Sequence, residues 1–168
     1  AESAGIKMIT IHGRTRCQFY KGRADWGAIA NVKQAVSIPV VANGDIVSAA
    51  TACQALKASG ADGVMIGRGA QGKPWLLAQV AHVLYGTAAP LVPTGTAFSD
   101  MVREHYDEMV RFYGSALGLR VARKHLGWFM DTCATPGDLR KAVLTASDVA
   151  QTDDLLSEAC FFDGRAAA

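Results

Sequence analysis

The first half of the chain alternates short aliphatic runs with longer stretches of helical periodicity. The aliphatic runs are residues 6–11, 39–46 and 63–70. The helical stretches are residues 25–35, 47–59 and 74–85. Aliphatic runs that end abruptly in glycine and polar residues are typical of strands buried on both faces of a parallel sheet. The pattern therefore predicts three consecutive βα units.

A purely helical pattern follows residues 86–96, whose prolines, glycines and small side chains predict a linker. Four apolar stripes then predict a small antiparallel helical bundle. The stripes are Phe98, Met101, Val102, His105, Met109, Phe112 and Tyr113; Leu119, Ala122, Leu126, Phe129, Met130 and Cys133; Leu139, Ala142, Val143, Ala146 and Val149; and Leu155, Leu156, Ala159 and Phe162. We therefore expect an α/β domain over residues 1–88 and an all-α domain over residues 97–168.

Glycines and polar residues follow the second and third predicted strands at their carboxyl ends, where α/β proteins place ligands. Gly67 and Gly69 flank Arg68, and we expect a helix to start at Pro74. Exposed backbone N–H groups, a helix N-terminus and a guanidinium together suit a phosphate group. A plain glycine turn with a solvated arginine is the alternative, because glycine-rich loops alone are weak signals.

Basic and aromatic residues are interleaved at two places. The loop after the first strand contains Arg14, Arg16, Tyr20, Lys21 and Arg23, and the second bundle helix contains Arg120, Arg123, Lys124, His125 and Trp128. Such sets suit stacking on bases and pairing with phosphates. Ordinary solvated surfaces are the alternative interpretation at both places.

Composition excludes several classes of protein but does not identify the function. The chain has 168 residues, half of them hydrophobic, and a formal charge of +2, so bulk charge gives no argument for nucleic acid. The four cysteines lack CxxC spacing, and we expect no metal site, no disulfide framework and a reducing, cytoplasmic location. No apolar run reaches membrane-spanning length.

Five ordered motifs resemble one family. They are IHGRTR at 11–16, VANGDI at 41–46, MIGR at 65–68, AQGKPW at 70–75 and RVARKH at 120–125. The sequence is similar to the flavin-dependent tRNA-dihydrouridine synthases, in particular the bacterial B-type, also known as nitrogen-regulation-like proteins. The resemblance implies a partial TIM barrel, comprising the last three βα units, followed by a helical tRNA-binding domain. It also implies reduction of uridine in tRNA to 5,6-dihydrouridine, with FMN as cofactor and NADPH as its reductant.

The resemblance also assigns expected roles to individual residues. Expected contacts of FMN are His12, Asn43, Gly44, Asp45, Gly67 and Arg68. Expected contacts of tRNA are Arg14, Arg16, Tyr20, Arg120, Arg123 and Lys124. His12 is also expected near the target base.

The family pattern is incomplete in this chain. Members of the family begin with five further βα units, which carry the cysteine that protonates the base, and Cys17 does not correspond to it. We therefore expect the carboxyl-terminal part of such an enzyme, inactive alone and self-associating through exposed barrel strands. The alternatives are another FMN-dependent barrel oxidoreductase that acts on a small molecule, and a non-catalytic RNA-binding or regulatory module.

Overall fold

A computed structural model describes residues 1–161 and divides the chain into two compact units. Unit 1 comprises residues 1–70 and 74–90, and unit 2 comprises residues 71–73 and the chain from Leu91 onward. The predicted domain limits, 88 and 97, fall on either side of that division. Phe162 and the end of the second predicted domain lie outside the described residues.

Unit 1 is a three-stranded parallel sheet with three α-helices. Its elements are β1 (Ile9–His12), α1 (Trp26–Ala35), β2 (Val40–Asn43), α2 (Ala49–Ser59), β3 (Gly63–Met65) and α3 (Leu76–Tyr85). The strand order is β1-β2-β3, which confirms the predicted alternation of strands and helices. The expected first strand is too long, because residues 2–4 form a single 3₁₀ turn ended by Gly5 and pairing starts only at Ile9.

Local hydrogen bonds fix where the helices of unit 1 begin. The Asp25 side chain accepts from Ala28 N at 3.0 Å at the start of α1. The Ser48 hydroxyl accepts from Thr51 N at 3.1 Å at the start of α2. Such caps satisfy backbone donors that a helix leaves free at its first turn.

The two faces of the sheet differ in burial. Val40 and Ala42 are fully buried and pack with Ile29 of α1 on one face. On the other face Met8 is 57% exposed and Met65 is 52% exposed. The helices therefore cover one face of the three-stranded sheet, and the opposite face is accessible in this chain.

Unit 2 contains α4 (Thr96–Tyr113), α5 (Ser115–Cys133), α6 (Gly137–Thr145) and α7 (Val149–Ala159). Its core is made by large side chains from all four helices. The fully buried ones include Phe98, Val102, Tyr106, Leu126, Met130, Val143 and Leu156. The predicted stripes therefore identify most of this core correctly.

Five of the predicted stripe positions are wrong, and two of them, His105 and Ala142, are exposed on their helices. Phe112 is 81% exposed and Tyr113 is 46% exposed at the end of α4, and a close contact of α4 with α5 lies before them, at Val110 and Gly118. Val149 starts α7 instead of ending α6, since the Asp148 side chain accepts from a backbone N–H of the next turn and starts a new helix there. None of the helices described in residues 1–161 combines the length and hydropathy of a membrane span.

Candidate functional site at the carboxyl ends of the strands

The carboxyl ends of the three strands open into one cleft of about 580 Å³ in unit 1. The parallel register places His12 beside Asn43, and Asn43 beside Met65, so the loops after the strands begin side by side. The cleft is lined by His12, Tyr20, Asn43, Gly44, Asp45, Ile46, Val47, Gly67, Arg68 and Gly69. All six residues expected to hold the cofactor therefore lie together.

His12 and Asn43 present one hydrogen-bonding group each to the cleft. His12 Nδ1 accepts from Arg14 N at 3.0 Å, which assigns the proton of a neutral ring to Nε2. Asn43 Nδ2 donates to Met65 O at 2.8 Å, which leaves the amide oxygen to accept. The pair thus offers a ligand one N–H donor and one carbonyl acceptor.

Asp45 joins the loops that follow the three strands. Its Oδ2 accepts from Arg14 Nη2 at 2.6 Å and from Ala24 N at 2.7 Å, and its Oδ1 lies 3.9 Å from Arg68 Nη2. Burial alone would raise the pKa of this carboxyl, but the Ala24 hydrogen bond and the Arg14 and Arg68 guanidinium groups hold it below its usual range. Asp45 is therefore an ionised anchor that positions two arginines.

Arg14 is placed inside the loop rather than on its surface. Its side chain is only 4% exposed, and besides Asp45 it donates to Lys21 O at 3.2 Å and Gly22 O at 2.6 Å. This guanidinium is occupied in ordering residues 14–22. Arg16, by contrast, is exposed in a 3₁₀ turn.

Arg68 and Tyr20 form the rim of the cleft. The Arg68 guanidinium carbon lies 4.5 Å from the centroid of the Tyr20 ring, within range of a cation–π contact. The ring is 70% exposed, and the Arg68 side chain is 57% exposed. Sequence reasoning placed both residues near ligands but missed their contact, because 48 positions separate them and no local pattern links the two loops.

Two glycines allow the close approach of the loops. Gly44 has φ of 116°, and a Cβ there would lie 2.8 Å from Ala24 Cβ and 3.1 Å from the His12 ring. A Cβ at Gly69 would lie 2.3 Å from Ile46 O. Larger side chains at either position would push apart the segments that line the cleft.

The expected helix N-terminus at the phosphate loop is wrong. The chain forms a 3₁₀ turn over Arg68–Ala70 and then passes through a left-handed Gly72. The helix α3 begins at Leu76, two residues after Pro74, and the residues that line the cleft end at Gly69. Arg68 and the loop backbone are therefore the groups that remain for an anion.

A second polar surface lies in unit 2, on α5. Arg120 and Lys124 are exposed at successive turns of the helix, and Lys124 Nζ lies 5.2 Å from the centroid of the Trp128 ring. The ring of His125 packs on Trp128 at 5.1 Å and on His105 of α4 at 5.4 Å. Sequence reasoning assigned His105 to the apolar stripe; only the helix crossing brings it to this surface.

Arg123 belongs to a different environment from its two basic neighbours. Its Nη2 donates to Ala146 O at 3.1 Å, across to the connection between α6 and α7. Its Nε is buried without a hydrogen-bond partner among the described residues. Residues 1–161 contain no cluster of three or more His, Cys, Asp or Glu side chains suited to a metal ion.

Comparison with known proteins identifies the family. A family model described as dihydrouridine synthase (Dus) matches residues 1–163. A probable tRNA-dihydrouridine synthase of Rhodobacter capsulatus is 60% identical over 159 residues, covering 95% of this chain and 48% of the relative. A tRNA-dihydrouridine synthase B of Xanthomonas axonopodis pv. citri is 47% identical over 144 residues, covering 85% of this chain and 43% of the relative. The chain thus spans about half the length of the curated relatives it matches. It belongs to the dihydrouridine synthase family.

Proposed function

We propose that this chain supplies half of a flavin-dependent tRNA-dihydrouridine synthase. In this proposal unit 1 is the last three βα units of a TIM barrel, and unit 2 is a tRNA-binding helical domain. The observation that carries the proposal is the cleft in unit 1, where His12, Asn43 and Arg68 meet at the ends of three parallel strands. That edge of an α/β barrel is where ligands bind.

The residues of the cleft fit the phosphate end of FMN. Two guanidinium groups, Arg14 and Arg68, face the single carboxylate of Asp45, so the local charge balance is positive. Arg68 is the more accessible of the two and can form forked hydrogen bonds to phosphate oxygens. We therefore assign the phosphate to Gly67 and Arg68, while Asp45 positions the arginines instead of contacting the anion.

The remaining cleft residues suit recognition of flat, polar rings. FMN, re-reduced by NADPH, would supply the hydride that converts uridine to 5,6-dihydrouridine. The Nε2–H of His12 can donate to a ring carbonyl, and the amide oxygen of Asn43 can accept from a ring N–H. The exposed Tyr20 ring provides a stacking surface for a base that has left the RNA fold.

We further propose that tRNA backbone contacts α5 through Arg120 and Lys124, with Trp128 beside them for stacking. Both cations are exposed and unpaired with carboxylates in the described structure, so they are available to phosphates. Arg123 and Arg14 have internal partners, and we assign them to ordering α5 and the loop after β1. Arg16 remains a candidate phosphate contact because it is exposed.

A chimera tests the proposal directly. The chain would replace the matching segment of the Rhodobacter capsulatus relative, and dihydrouridine formation on unmodified tRNA would be measured by mass spectrometry of nucleosides. We expect activity in the chimera and none in the 168-residue chain alone. Activity of the isolated chain, or an inactive chimera that retains flavin and binds tRNA, would contradict the proposal.

Substitution of the anion site gives a second test in the same chimera. Arg68→Ala should lower the flavin retained per protein, because the accessible guanidinium at the cleft is lost. Arg23→Ala is the matched control, since Arg23 is an exposed arginine of the neighbouring loop that does not line the cleft. Equal flavin content in the two variants would overturn the phosphate assignment.

A further inference from the structure

Two of the four cysteines lie together at one end of the helical bundle. Cys133 is the last residue of α5, and Cys160 immediately follows α7. Cys17 and Cys53 are exposed in unit 1, whereas Cys160 is fully buried and Cys133 is partly buried. All four are free thiols. The pair is the feature of unit 2 that neither FMN binding nor tRNA binding uses.

The ends of α5 and α7 are tied together beside this pair. Thr135 Oγ1 donates to Ala159 O, the last residue of α7, at 2.5 Å. Thr135 N donates back to Met130 O in the last turn of α5 at 3.1 Å. The residue between them, Ala134, adopts the left-handed conformation that ends α5. These contacts hold the backbones of the two cysteines at a fixed separation.

The two thiols also contact each other directly. An interaction between the Cys133 and Cys160 side chains shifts the pKa of both thiols. It lowers the pKa of Cys133 against the opposing effect of burial, while the same contact and burial raise the pKa of Cys160. The thiol that ionises first is thus the one that solvent can reach, and its buried partner is held next to it.

We propose that Cys133 and Cys160 are an oxidation site, at which a hydroperoxide converts the dithiol to a disulfide that links α5 to α7. The Cys133 thiolate attacks one peroxide oxygen and forms a sulfenic acid as the other oxygen leaves as water or alcohol. The Cys160 sulfur then displaces the sulfenic hydroxyl, which leaves as water, and the S–S bond forms. Two thiols are oxidised by two electrons and one peroxide is reduced. The two sulfurs must approach to the S–S bond length of about 2 Å.

The test uses the full chain with Cys17→Ser and Cys53→Ser, so that only the pair can react. The protein is treated with hydrogen peroxide, alkylated after unfolding, digested and mapped by mass spectrometry. We expect a mass loss of about two daltons, loss of both alkylation sites and a cross-linked peptide that contains both cysteines. Dithiothreitol should restore both thiols.

Single substitutions separate the pair from general thiol oxidation. In Cys160→Ala, Cys133 should give a trappable sulfenic acid and then a sulfinic acid, with no intramolecular disulfide. Cys133→Ser should leave Cys160 reduced. This variant changes the partly exposed member of the pair and keeps the buried Cys160, so a folding defect caused by a change in the core is avoided. The proposal is overturned if, in the folded background protein, Cys133 forms only sulfinic acid or intermolecular disulfides while Cys160 remains fully alkylatable.

Discussion

Replacing Asp45 by Asn tests the idea that one carboxylate holds the loops of the cleft together. The change removes the charge that pairs with Arg14 at 2.6 Å but keeps an oxygen that can accept from Ala24 N. The Arg14 side chain is 4% exposed and the Asp45 side chain is 32% exposed. The variant therefore leaves a nearly buried guanidinium without its counter-ion.

The expected cost follows from that burial. Breaking a fully buried pair by removing one partner costs about 3–5 kcal/mol. Because water reaches the Asp45 side of this pair, and three carbonyl or carboxamide oxygens still accept from Arg14, we expect a smaller cost of about 2 kcal/mol, below that range. In a unit of this size that lowers the melting temperature by roughly 8–16 °C.

Circular dichroism melting and hydrogen exchange would measure the effect. Exchange should increase first in peptides from residues 13–25, since Asp45 holds Ala24 N and the Arg14 side chain there. Lys33→Gln is the matched control, because the Lys33–Asp62 pair in the same unit is 28% and 45% exposed and such pairs contribute little.

The pH dependence gives the prediction a second signature. The pKa of Asp45 in the folded state lies below its ordinary value of 3.8. The stability that ionised Asp45 contributes is therefore present above pH 3.8 and is lost as the pH falls through the folded pKa. The difference between the parent and Asp45→Asn should therefore shrink in acid. If Asp45→Asn melts no lower than Lys33→Gln at neutral pH, or the difference grows on acidification, the reasoning is wrong.

Four further predictions concern packing, charge and association. Gly118→Ala should destabilise the chain by about 1–3 kcal/mol, because a Cβ there lies 2.7 Å from Val110 Cα; Gly127→Ala on the same helix meets only a flexible arginine end at 3.4 Å and should be neutral or stabilising. Replacing Arg120 and Lys124 by Ala should lower the log–log salt slope of tRNA affinity by about one for each. Burial, together with the charges of its neighbours His105 and Lys124, lowers the pKa of His125, so the free energy of unfolding should rise with pH up to about 6.5. The variant His125→Gln should lack this contribution to the pH dependence. The chain should self-associate at micromolar concentration, because both edges of the sheet and one face are accessible.

Each of the four has a result that would contradict it. Equal unfolding free energies for the two alanine variants would show that α4 and α5 can separate without cost. An unchanged salt slope would identify the α5 surface as merely solvated. A pH profile of stability that His125→Gln leaves unaltered would remove the histidine from the account. Sedimentation as a strict monomer, with slow hydrogen exchange in the strands, would show that unit 1 protects its own sheet.

The cleft was predictable from sequence because its residues follow strands. In each βα unit an aliphatic run predicts the strand. The polar residues that follow it, such as Asn43 and Arg68, mark the carboxyl end, where α/β proteins place ligands. The parallel arrangement then makes sequence position sufficient to bring distant loops together. The sequence did not reveal that a 3₁₀ turn over Arg68–Ala70 and a left-handed Gly72 separate the cleft from α3, which begins at Leu76, because spacing alone cannot distinguish these turns from a helix cap.

What sequence could not predict is which cations are free. Arg14 and Arg68 both follow strands, and Arg123 and Lys124 are adjacent, yet one member of each pair has internal partners and the other is exposed. The difference depends on acceptors supplied by distant segments, such as the Ala146 carbonyl for Arg123. Periodicity assigns a side chain to a face of a helix, but it carries no information about a carbonyl that reaches that face from another element.

The distribution of occupied and free cations gives the two units a common design. In each unit one arginine, Arg14 or Arg123, forms hydrogen bonds within the unit that hold a loop or a helix junction. A neighbouring cation lies exposed beside an aromatic ring: Arg68 over Tyr20, and Lys124 over Trp128. A cation on an aromatic face keeps that ring oriented while both remain accessible, which suits ligands that combine phosphates with flat bases. Because the internal arginine fixes the surrounding backbone, the exposed pair is positioned before any ligand arrives. Asp45→Asn removes the carboxylate that holds Arg14 and lies 3.9 Å from Arg68, and we therefore expect it to weaken flavin retention as well as stability.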